Sequence, residues 1–221
     1  MTGSKDQRFP LLRTLLVTMG ILQPVLLQPH SLMAEASGEA GSPVLILGGS
    51  YEHPPVGRFL PASKRTLLIP ATMDRLGTVL PLGCSNGPGA DLSPEAWDRF
   101  LKASRESSSL LMATLDPVMV RDNRGVIQMA VISTDSPLTA SCILLPGFLQ
   151  RFSAIFGPEL IVAIPSRQKI YVFPKLANRI PDASQLIRDD YLISPMPVSK
   201  ELFELSSKGL RAIGNVDPDD Q

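Results

Sequence analysis

Histidine, the usual base for a serine or cysteine nucleophile, occurs only at His30 and His53. His30 lies in an N-terminal stretch read below as cleaved, and His53 sits in Glu52-His53-Pro54-Pro55, a run that predicts a solvated loop. No Gly-x-Ser-x-Gly elbow is present, so triad hydrolysis has no residue set to use and no catalytic residue is assigned. Cys84 and Cys142 stand far apart and outside any Cys-x-x-Cys or Cys/His cluster, which argues against a structural zinc site and leaves no metal ligand set. In an oxidising compartment they could form one disulfide, Cys84 to Cys142, worth roughly 2–4 kcal/mol. Two separately buried thiols are the competing expectation.

Carboxylates offer the other route to catalysis, as an acid/base pair or as cation ligands. Asp116, Asp122 and Asp135 each sit in turn-forming dipeptides whose side chains bond their own backbone, and Asp189-Asp190 reads as an exposed pair. None has calcium-loop spacing. The loop Gly83-Cys84-Ser85-Asn86-Gly87-Pro88-Gly89 precedes a helix but lacks the Gly-Lys-Ser/Thr ending of a phosphate loop and the spacing of a dinucleotide fingerprint, so no cofactor is expected. The best candidate binding group is Arg167, with Ser166 beside it, because a planar donor fork on a rigid turn suits carboxylate or phosphate recognition. A solvated turn arginine is the plainer alternative.

Those residues must be positioned by an α+β fold. Phe148, Leu149, Phe152, Ile155 and Phe156 share one helical face, between Pro146-Gly147 and Gly157-Pro158. Leu160 to Ile164 is apolar at every position and predicts a strand covered on both faces. Pro165-Ser166-Arg167-Gln168 turns the chain, with the proline at the second turn position, and Lys169 to Phe173 returns as its partner. Phe148, Phe152, Ile155, Leu160, Val162 and Ile164 are expected in the core.

This stretch, ILLPGFLQRFSAIFGPELIVAIPSRQKIYVF at 143–173, resembles a segment of the YtpQ-like family of uncharacterised bacterial proteins. PMPVSKELFELSSKGL at 195–210 is similar to that family's C-terminal segment. The resemblance spans about residues 135–210 and implies a fold; the family has no established activity to carry over.

Elsewhere, Val44 to Leu47 predicts an edge strand inside a Gly/Pro-rich linker at 37–63, and Thr66 to Ile69 a short strand. Ser93-Pro94-Glu95 opens a helix with Ala96, Trp97, Phe100, Leu101 and Ala103 inward. Strands are expected at 110–115, 118–121, 126–132 and 139–145, with Asp122-Asn123-Arg124-Gly125 as a hairpin loop. Helices are expected at 182–190 and 199–208. The result is one α+β domain at 64–215, a mainly antiparallel sheet with two or three packed helices, followed by an acidic tail at 216–221.

Before that domain, basic Lys5, Arg8 and Arg13 precede an apolar run from Leu15 to Leu27 and then Ala34-Glu35-Ala36, the order of a signal peptide at 1–36 with cleavage after Ala36. The run carries Gln23 and Pro24 and falls short of the ~20 apolar residues of a membrane span. The protein is therefore expected to be secreted or periplasmic, with no membrane association after cleavage. Basic and acidic residues balance at 21 each and are interspersed, which gives no field for nucleic acid. Together these features predict an exported, non-catalytic module for an unknown protein or small-molecule ligand. A hydrolase using a carboxylate pair or a bound metal is the alternative.

Overall fold

The computed structural model describes residues 41–83, 92–176 and 180–217, all within one unit, Ser37–Gln221. The expected signal with Ala34 and Ala36, Cys84 and most of its glycine-rich loop, and residues 218–221 lie outside the described residues. The fold is α+β. Its antiparallel strands form two sheets rather than one, and three α-helices pack on them among the described residues.

The first sheet is built from β1 (Ser42–Gly49), β2 (Arg58–Phe59), β3 (Thr66–Met73) and β4 (Val79–Pro81). β3 is central, with β1 along one side and β2 and β4 on the other. Calling 37–63 a linker is therefore incorrect. The edge strand expected there exists, but Val44, Leu45, Ile46 and Leu47 are completely buried, and Val56 and Leu60 join the core. Val44 and Ile46 pack with Ile69 and Leu138 on one face, while Leu45 packs with Val56 and Trp97 on the other. Burial on both faces is why the run is apolar without alternation.

Helix α1 (Pro94–Thr114) begins as its sequence dictates. Ser93 Oγ accepts from Ala96 N at 3.3 Å, Pro94 occupies the first turn, and Trp97 is buried. It runs through residues 110–114, where a strand was expected, because Leu110, Leu111, Met112 and Ala113 are all good helix formers and Leu111 and Met112 reach the core. Arg151 then donates to the carbonyls of Met112 at 3.1 Å and Leu115 at 2.8 Å, satisfying groups that a helix end leaves open.

The second sheet holds β5 (Val118–Arg121), β6 (Ile127–Ser133), β7 (Leu160–Ser166), β8 (Lys169–Pro174), β9 (Glu201–Ser206) and β10 (Gly209–Asn215), ordered β10-β9-β7-β8-β6-β5. The β5–β6 hairpin turns where expected, and Asp122 Oδ1 accepts from Arg124 N and Val126 N. Alternation divides β7 between two layers. Leu160, Val162 and Ile164 meet Phe148 and Phe152 of α2 (Pro146–Phe156), while Ile161 and Ala163 meet Ala183 and Ile187 of α3 (Ile180–Ile193). Ile155 does not join them: at 43% exposure it lies at the margin of the α2 face.

Three further expectations need correction. Residues 139–145 contain a 3-10 helix, Ala140–Leu144, in place of a strand. Residues 199–208 are not a helix but contain β9, whose Phe203 and Leu205 point to the core while Glu204 pairs with Lys175 and Arg211, a period of two. Gly209, at φ +109°, lets the chain turn back into β10. Finally, Pro165 is within β7 beside a register irregularity, so the hairpin turns two residues later than read, at Arg167-Gln168.

The tail also begins later than expected. Val216 is buried, and Asp217 bonds Arg188 at 2.9 Å and Lys200. Those two cations hold its carboxyl below the usual aspartate range. Its folded pKa is thus lower than its unfolded one, so the stabilisation is complete at neutral pH and is lost as pH falls below about 4 and through the folded value. Asp217→Asn is expected to lower stability by up to about 1 kcal/mol at pH 7, with the difference vanishing in acid, as read by urea midpoints at several pH values.

Candidate functional site

Arg167 is neither solvated nor displayed to a ligand. It is 9% exposed; its Nε donates to Leu47 O at 3.0 Å and its Nη2 lies 2.5 Å from Glu52 Oε2. The donor fork does recognise a carboxylate, but one from its own chain. Ser166, also buried, ends β7, pairs with Lys169 and bridges to Pro197. Glu52 in turn accepts from Gly49 N at 3.1 Å, and His53, exposed at φ +45°, closes that short 3-10 turn.

This arrangement solves a problem of the β1 edge. Among the described residues β1 pairs only with β3, so its outward carbonyls need donors from elsewhere. Ser141 Oγ supplies one, to Leu45 O at 2.7 Å, and Arg167 the other. Close approach here also explains Gly49, where an added Cβ would lie 2.7 Å from the Val198 carbonyl.

A second clasp joins the start of β3 to the start of β9. Glu201, 6% exposed, takes hydrogen bonds from Ser63 Oγ at 2.6 Å, Lys64 N at 2.9 Å and Thr66 Oγ1 at 2.7 Å. Thr66 Oγ1 also lies 2.7 Å from Ser199 Oγ. Ser63 simultaneously accepts from Thr66 N at 2.8 Å, so its hydroxyl is spent on the turn rather than held ready as a nucleophile.

The other carboxylates are engaged similarly. Asp190 accepts from Lys169 Nζ at 2.8 Å and from the Tyr171 hydroxyl, and burial followed by that bond pushes the Tyr171 pKa up. Asp189 accepts from Gln185 at 2.7 Å. Asp135 accepts at its backbone carbonyl from Gln168 at 2.9 Å. Among the described residues no three His, Cys, Asp or Glu side chains gather where they could hold a metal ion. Cys142 is fully buried in the 3-10 helix, near the carbonyls of Ser108 and Leu138, and burial pushes its thiol up to about 12.

A cavity of about 210 Å³ lies between α1, the 3-10 helix and β1. Leu45, Leu101, Leu144 and Leu145 form its apolar walls. Ser104, Ser108 and Ser141, all buried, add hydroxyls, and the exposed Arg105 stands at its rim. Ser108 is 1% exposed, yet its hydroxyl has no hydrogen-bond partner among the described residues. A buried unpaired hydroxyl costs about 1–3 kcal/mol, so at a cavity wall it is suited to bond a group that enters the cavity. A groove of about 340 Å³ shares Leu144 and Leu145 with the cavity and continues over Leu149, Leu205 and Leu210.

From the sequence Leu45, Leu101 and Leu149 read as strand and helix-face positions, and none of the cavity residues reads as a site. The signal lay in the helix face running Trp97, Leu101, Ser104, Ser108 and Leu111, where two serines interrupt inward positions. Comparison with known proteins adds no name to this site: no family model, curated protein or solved structure matches the chain.

Proposed function

We propose that this chain is an exported binding module that takes a small, partly apolar ligand between α1 and the 3-10 helix Ala140–Leu144 and does no chemistry on it. The observation that carries this reading is the cavity wall at Ser108, where a buried hydroxyl lacks a partner among the described residues beside four leucines. Concave, mostly apolar sites with a few directed polar groups are the usual form of small-molecule pockets. The engagement of Glu52, Asp122, Asp190 and Glu201 in hydrogen bonds of the fold supports a non-catalytic role. Export is supported by the order of basic, apolar and Ala-x-Ala segments, and cleavage after Ala36 would leave every described strand and helix intact.

Trp97 is the sole tryptophan and packs with Leu45 and Leu101, two walls of the cavity, so its emission should report occupancy. Titration with octanol, a neutral head on an apolar chain, is expected to change that emission saturably. An emission that does not change would contradict the binding reading. Cell fractionation with N-terminal sequencing tests export separately, and a cytosolic protein retaining residues 1–36 would contradict it.

A further inference from the structure

From the charge of the cavity's rim we infer that the ligand is a monocarboxylic acid with an unbranched apolar chain, its carboxylate at Arg105 and Ser108 and its tail along the groove past Leu144 and Leu145. This assignment rests on the cavity being a binding site and goes on to name the class of ligand. The polar groups on the cavity wall are three serine side chains and one guanidinium, with no carboxylate among them. That set favours an anionic head over a cationic one, since the guanidinium only donates and its fork matches two carboxylate oxygens. Arg105 is free for the task. Its side chain makes no ion pair among the described residues, whereas Arg151, Arg167 and Arg188 are each tied to partners within the fold.

The shape of the tail follows from the walls that the two spaces share, Leu144 and Leu145. Ser141 already donates to Leu45 O, and the wall beyond it is Leu144 and Leu145, which also line the neighbouring groove. On the groove side the lining is Ile143, Pro146, Leu149, Leu205 and Leu210, with only Ser206, Ser207 and Gly209 at the β9–β10 turn. A head held at Arg105 thus has the apolar side chains of Leu144 and Leu145, shared with the groove, on one side. A single flexible chain can lie along them, while a second charged group on the tail would be desolvated there without a partner.

The test uses octanoate, octanol and octylammonium as probes of the full mature chain, read by Trp97 emission at neutral pH. Octanoate is expected to bind saturably and to weaken with added salt, because its head contact is an exposed ion pair. Arg105→Ala should weaken octanoate about tenfold while leaving octanol within about twofold. Arg105 is exposed, so the variant should keep the parent's circular dichroism and thermal midpoint. Octanoate affinity unchanged in Arg105→Ala, or octylammonium binding as tightly as octanoate, would overturn the assignment. Octanol binding without octanoate would overturn it while leaving the binding reading intact. If none of the three probes perturbs Trp97, the binding reading falls, and the assignment with it.

Discussion

Phe152→Ala is expected to lower the unfolding free energy by about 3–5 kcal/mol, since removal of a fully buried ring leaves a cavity that a packed core cannot close. Phe152 is 0% exposed and its ring lies 4.8 Å from Phe148 and 6.5 Å from Phe156, so it binds α2 both to itself and to β7. The control lies one turn along. Ile155→Ala removes a side chain that is 43% exposed and should cost no more than about 1 kcal/mol. Urea denaturation compares them, and equal midpoints for the two variants would contradict the placement of α2.

Arg167→Met should cost about 3 kcal/mol for a different reason, since length and apolar bulk are kept while the donors are lost. Leu47 O loses its bond from Nε, and Glu52, whose side chain is 24% exposed, loses its counter-charge. Most of the penalty belongs to the groups left behind. Adding Glu52→Gln to Arg167→Met should therefore restore part of the loss, a coupling that a double-mutant cycle measures. An Arg167→Met variant as stable as the parent would mean that the guanidinium is solvated, as the plainer reading of the sequence had it.

Arg167 also shows where sequence reasoning stops. Its chemistry was legible: a fork on a rigid turn, suited to a carboxylate. Its partner was not, because Glu52 and Leu47 lie more than a hundred residues away and no local pattern encodes that distance. The elements with local signals came through well, namely the helix from Phe148, the apolar strand from Leu160 and the hairpin at Asp122. Those that failed had a pattern that two structures share. Glu201-Leu202-Phe203-Glu204-Leu205 reads as a helix by its formers and as a strand by its alternation, and pairing with β7 and β10 decides between them. Val44 to Leu47 looked like an island in a linker because Gly and Pro surround it, although at Gly49 a Cβ would meet the Tyr51 ring and the Val198 carbonyl. The cavity was invisible for a related reason: serines on the inner face of a helix are common, and only the fold shows that the Ser108 hydroxyl has no partner among the described residues.

The central claim is that this chain binds a ligand between α1 and the 3-10 helix, and amide chemical shifts of the labelled protein test it most directly. On titration with octanol, the amides of Leu45, Leu101, Ser108, Leu144 and Leu145 should move together along one saturation curve. Shifts that never saturate, or that centre instead on the exposed Leu192 and Ile193 at the end of α3, would contradict it.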